Sequence, residues 1–95
     1  MNVLTFYTKP GCSLCDQGYP LVEELAERFG LEVRRVDIRS DPALVERHGQ
    51  RIPVLELDGE ELGWGRLSAR ALERNLARRA ADREAQGFKP KRPRT

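Results

Sequence analysis

A chain of 95 residues with 39% hydrophobic and 34% charged residues has room for one domain with one modest core. Its apolar runs stop far short of the roughly 20 residues that span a bilayer, and its first residues lack the basic start and long apolar stretch of a secretory leader; both point to the cytoplasm. The formal net charge of +2 conceals an asymmetry: residues 1–65 carry 7 Lys+Arg against 12 Asp+Glu, residues 66–95 carry 10 against 3, and arginine supplies 14 of the 17 basic residues.

Val3-Leu4-Thr5-Phe6-Tyr7 is a β-branched and aromatic run closed by Lys9-Pro10-Gly11, which predicts a buried strand and a turn. From Ser13 to Phe29 the apolar residues Leu14, Leu21, Val22, Leu25 and Phe29 fall at helical spacing, and Gly30 stands where a C′ glycine stops a helix. Gly18 and Pro20 oppose that helix locally, and a kink near Gly18 is expected. Residues 31–38 predict a second strand. Asp41-Pro42 opens a short helix that runs to about His48 and stops at Gly49. Residues 52–57 predict a third strand, and Asp58-Gly59 a tight hairpin into a fourth over Glu60–Trp64. A final helix starts at Ser68, with Ala69, Leu72, Leu76 and Ala80 as its inward stripe. Arg66, Arg70, Arg74 and Arg78 step by four along a separate stripe. Residues 83–95 are basic and unpatterned, and predict a disordered tail behind a domain over 1–82.

The order β-α-β-α-β-β-α predicts an α/β fold: a parallel pair joined by a crossover helix, extended by a hairpin to a four-stranded mixed sheet with helices on both faces.

The two cysteines, Cys12 and Cys15, stand three apart between the first strand and the first helix. Unpaired N–H groups and a partial positive charge at a helix N-terminus favour a thiolate there. Cys12, nearer the turn and three residues after Lys9, is the expected nucleophile. Cys15, one turn deeper, is the expected resolving thiol that attacks the mixed disulfide. The competing assignment, half of a metal site, lacks a second Cys or His pair to complete four ligands, and no metal is assigned. His48, the single histidine, is expected to be solvated or capping and receives no role. Asp16 is expected to be an exposed first-turn acid. Were Ile52–Pro53 cis, the backbone N–H and C=O of Ile52 would be presented to a substrate chain. Trp64 either lines that groove or, the more common fate of a tryptophan, packs in the core or on a sheet face.

Thr8-Lys9-Pro10-Gly11-Cys12-Ser13-Leu14-Cys15, followed at a distance by Ile52-Pro53-Val54 and the Asp58-Gly59 hairpin, resembles the thioredoxin superfamily, and within it the uncharacterised bacterial glutaredoxin-like proteins. The resemblance spans residues 2 to about 80. It implies a thioredoxin-like fold, a cis bond at Pro53, a nucleophile at Cys12 and a resolving thiol at Cys15. It also implies thiol–disulfide oxidoreductase activity on a disulfide-containing protein or small thiol substrate, by a monomer with no resident cofactor. Gly63-Trp64-Gly65-Arg66-Leu67-Ser68 departs from the glutaredoxin pattern, which has paired glycines and then two acids where the glutathione γ-glutamyl end is held. Glutathione as co-substrate would then depend on Lys9, Arg51 and Arg66. Two other functions compete: an iron–sulfur or metal carrier using Cys12, and a binding adaptor using the basic final helix and tail. No specific nucleic-acid partner and no membrane partner is expected.

Overall fold

The computed structural model describes residues 2–85, with side chains through residue 81. Strand β1 (Val3–Thr8) leads into helix α1 (Ser13–Phe29) and strand β2 (Glu32–Asp37). A 3₁₀ turn over Ile38–Ser40 precedes helix α2 (Pro42–His48). Strands β3 (Val54–Leu57) and β4 (Glu60–Trp64) form a hairpin, and helix α3 (Ala69–Ala85) closes the described chain.

The sheet order is β2-β1-β3-β4. β1 runs parallel to β2, because α1 carries the chain back across the sheet, and antiparallel to β3. The mixed sheet of the sequence prediction is thus formed. Its strands are shorter than predicted: β3 starts at Val54 rather than Ile52, and Ile38 belongs to the 3₁₀ turn rather than to β2.

Alternation along β1 sorts the two faces. Leu4 and Phe6 pair with Leu57 and Leu55 and join Val22, Leu25 and Ala26 of α1 and Leu72 and Leu76 of α3 in the main core. Phe6 meets Tyr19 of α1 with ring centroids 5.2 Å apart. Full burial of side chains of this size contributes about 1.5–3 kcal/mol each. Tyr7 and Val54 are paired in the next row and point to the other face, where Tyr7 meets His48 of α2 at 4.6 Å between centroids. One face therefore carries two long helices, and the other is covered by seven residues of α2.

Helix α1 is continuous through Gly18 and Pro20. The glycine serves close packing: a Cβ there would lie 3.3 Å from Leu67 Cδ1 and 3.7 Å from Phe6 Cε1. Gly30 ends the helix at φ 67°, where its N–H and that of Leu31 both reach the Ala26 carbonyl. Asp41 caps α2 by accepting the Ala43 N–H at 3.0 Å. The β3–β4 turn takes left-handed backbone at Asp58 and Gly59, and the Asp58 carboxylate accepts the Val3 N–H at 2.8 Å, tying the hairpin to the start of β1.

Helix α3 buries Leu72 and Leu76, whereas Ala69 and Ala80 are exposed, so its inward stripe is narrower than predicted. Arg66, Arg70, Arg74 and Arg78 are all exposed. The helix runs to Ala85, three residues past the predicted domain end; the predicted tail from residue 86 on lies outside the described residues. No helix among the described residues is long and apolar enough to cross a membrane.

Candidate active site

β1 delivers the chain to one end of the sheet, and Lys9-Pro10-Gly11 turns it there into α1. Gly11, at φ 80°, supplies the left-handed backbone this turn needs. Cys12 is the N-cap of α1: its Sγ accepts the Cys15 N–H at 3.1 Å, and its carbonyl accepts the Asp16 N–H at 3.0 Å. The two cysteines are disulfide-bonded, with Cα atoms 5.2 Å apart. Cys12 is half-buried and Cys15 is 2% exposed, because the first turn of α1 points Cys15 into the core.

An open cleft of about 460 Å³ reaches Cys15 between α1 and the β1–β2 edge. Lys9, Asp16, Arg35 and Asp37 give it two positive and two negative side chains. Arg35 stacks over Tyr19, 4.5 Å from the ring centroid. Asp37 is held by its neighbour Arg39 in a two-pronged contact, and those bonds keep its carboxyl below the usual range. Asp16 is exposed, as the sequence implies.

The Ile52–Pro53 bond is cis. Val54 pairs with Tyr7, so Pro53 and Ile52 stand at the end of the sheet where β1 gives way to the Cys12 loop. Pro53 is buried and Ile52 half-buried. Ile52 and Cys12 both pack against the main core cluster. The N–H and C=O of Ile52 make no hydrogen bond among the described residues. Arg51 is engaged: Nη2 donates to Glu61 Oε2, and the guanidinium carbon lies 5.0 Å from the Trp64 ring centroid. Trp64 is 53% exposed, so the core alternative for it falls.

His48 departs furthest from its expected place. It is 2% exposed, and both ring nitrogens lack a hydrogen-bond partner among the described residues. The C-terminal turn of α2 presses it against Tyr7 instead of leaving it in water. Burial, with the nearby Arg47 charge second, lowers its pKa. Tyr7 donates its hydroxyl to Glu56 Oε1 at 3.2 Å; burial first, then the Glu56 charge, raises its pKa. Sequence reasoning missed this Tyr7–His48–Glu56 group. Its one signal is that Tyr7 must face away from Phe6 and requires a polar neighbour for its hydroxyl.

A family model described as glutaredoxin-like domain (DUF836) matches residues 3–77. The chain belongs to this glutaredoxin-like family. A structural-genomics target protein from X. campestris is 38% identical, with a TM-score of 0.63 over 79% of this chain and 96% of that one. A thioredoxin mutant from Halobacterium salinarum is 28% identical, with a TM-score of 0.62 over 94% of this chain and 78% of that one. Protein Ne2328 of Nitrosomonas europaea, 23% identical, shares the fold with a TM-score of 0.68 over 79% of this chain and 91% of its own. An uncharacterised protein of Mycobacterium tuberculosis H37Rv is 28% identical over 76 residues, 75% of this chain and 78% of that protein. The glutaredoxin-like family and its thioredoxin-fold neighbours make a redox role for the Cys12–Cys15 pair fit the architecture.

Proposed function

We propose that this glutaredoxin-like protein is a thiol–disulfide oxidoreductase of the cytoplasm, acting as a monomer on disulfide substrates. The observation that carries the proposal is the asymmetry of the Cys12–Cys15 pair: Cys12 is partly exposed at the mouth of α1 and its sulfur accepts a backbone N–H, and Cys15 is buried one turn in. That hydrogen bond and the helix dipole favour the thiolate of Cys12 over its thiol.

In the reduced protein the Cys12 thiolate attacks one sulfur of a substrate disulfide. A mixed disulfide forms, and the leaving thiolate takes up a proton. The Cys15 thiol then loses its proton and attacks Cys12 Sγ. The Cys12–Cys15 disulfide closes and the second substrate thiol departs. Two electrons pass from the protein dithiol to the substrate, and a thiol or dithiol donor returns them. No resident cofactor is needed. Lys9 brings positive charge to the cleft beside Cys15, and the unpaired backbone of Ile52 offers a substrate chain a strand-like partner. With Arg51 engaged by Glu61, the cations left for a glutathione carboxylate are Lys9 and Arg66, and we assign glutathione no more than the place of an alternative donor.

The test is a pair of single-cysteine variants assayed with a disulfide-linked peptide. Cys12→Ser is expected to abolish reduction, and Cys15→Ser to stop after one event as a mixed disulfide visible by mass. Equal residual turnover in both variants contradicts the assignment.

A further inference from the structure

Trp64 is the single tryptophan of the chain, and it closes β4 more than half exposed. An indole left in water at a sheet end is the larger of the two big exposed apolar side chains among the described residues. It is also held in place. The Arg51 guanidinium lies over its ring, and Glu61 pairs with the same guanidinium. The next residue, Gly65, donates its N–H to the Arg51 carbonyl at 3.0 Å and the Pro53 carbonyl at 2.8 Å, the two carbonyls that bracket Ile52. Trp64 therefore stands beside Ile52, whose N–H and C=O are both unpaired among the described residues. Pairing of Val54 with both Tyr7 and Trp64 puts the indole in the same row across the sheet as the end of β1, from which the Cys12 loop departs.

We propose that Trp64, braced by Arg51 and Glu61, is the specificity platform of this site and stacks on an aromatic side chain of an extended polypeptide client. The proposal rests on the oxidoreductase function above and names its substrate class. The unpaired N–H and C=O of Ile52 match the alternating donors and acceptors of an extended chain. Since Arg51 is already matched by Glu61, the platform presents a ring beside a balanced pair of charges. That surface selects an apolar or aromatic neighbour of the client cysteine over an anionic one.

The experiment uses the reduced full chain and a set of disulfide-linked peptide dimers. The parent has serine at the two positions on either side of its cysteine; each other member carries tyrosine at one of those positions. One placement of tyrosine is expected to be reduced roughly three- to tenfold faster than the parent, the size of an aromatic pair contact. Trp64→Ala is expected to bring that ratio close to one, and Trp64→Phe to keep most of it. A ratio near one in the native protein, or an unchanged ratio in Trp64→Ala, overturns the platform. If no dimer is reduced at all, the oxidoreductase function fails. Trp64 emission, titrated with the tyrosine peptides bearing serine in place of cysteine, then decides the surface alone. A saturable change upholds it and a flat response overturns it.

Discussion

Replacing His48 by leucine should stabilise this protein at neutral pH and do so more strongly in acid. Leucine is close to histidine in volume, so the change removes polarity without opening a large cavity. The neutral imidazole has one donor and one acceptor, and both nitrogens are buried and unpaired among the described residues. An unsatisfied buried polar group costs about 1–3 kcal/mol, and the lost ring contact with Tyr7 is worth about 0.5–1.5 kcal/mol. The net gain near pH 7.5, the difference of the two mid-range values, should be about 1 kcal/mol. The acid component follows from linkage. Burial lowers the native pKa of His48 below its ordinary 6.5. Above that value neither state binds the proton, and pH has no effect through this group. As pH falls below it, the unfolded chain takes up a proton that the native state refuses, and native stability drops by up to about 1.4 kcal/mol per pH unit until the lowered pKa is reached. Arg47 and Arg51 oppose the imidazolium, while Glu56 and Glu61 attract it. Urea denaturation of the oxidised protein and the variant, followed by far-ultraviolet circular dichroism at pH 7.5 and 5.0, measures both effects. A variant less stable at pH 7.5, or a gap that fails to widen at pH 5.0, refutes the account.

Other consequences are as direct. Tyr7→Phe removes the hydroxyl bond to Glu56 and should cost about 0.5–1.5 kcal/mol. Because the native Tyr7 pKa is raised, the unfolded chain ionises first above about pH 10, so native stability falls as pH climbs through that range; the variant should lose this decline in alkaline denaturation curves. Gly59→Ala meets no atom within 4 Å, so its expected cost of about 1–2 kcal/mol is the left-handed backbone alone, and Gly59→Asn should cost less. Gly18→Val places branches against Leu67 and Phe6 and should cost about 1–3 kcal/mol by overpacking, measured as a lower urea midpoint.

The sequence carries the architecture because the strongest signals are local and agree with one another. Asp41-Pro42, Asp58-Gly59 and Gly30 each mark a turn or a cap, and each does so in the fold. Spacing along 13–29 marks the helix that brings Cys12 and Cys15 to its mouth. What stayed hidden depends on which strand crosses which. Gly18 reads from the sequence as a break in the helix beside Pro20, and only the approach of Leu67 gives the glycine a packing reason. The exposure of Ala69 and Ala80 likewise depends on where α3 leaves the sheet, which helical spacing alone does not fix.

The less legible residues share a location, and that location has a physical cause. The α1/α3 face holds the main apolar cluster and is written in the sequence as leucine, valine and phenylalanine at regular steps. Among the described residues the opposite face is covered by α2, seven residues long, with no second long helix. A cover that short cannot bury a second full layer of large apolar groups. Beside the buried Val54, that face carries amphipathic residues: Tyr7 with its hydroxyl on Glu56, His48 against Tyr7, and Trp64 half in water beside Arg51. Such side chains tolerate either burial or exposure, so composition and spacing leave their fate open. On the proposed function, the same tolerance is what would let a partly covered face accept a client. An apolar residue in Trp64's place would be a liability in solution, and a charged one would not stack. A braced indole presents ring area with little rotamer freedom left to lose on binding.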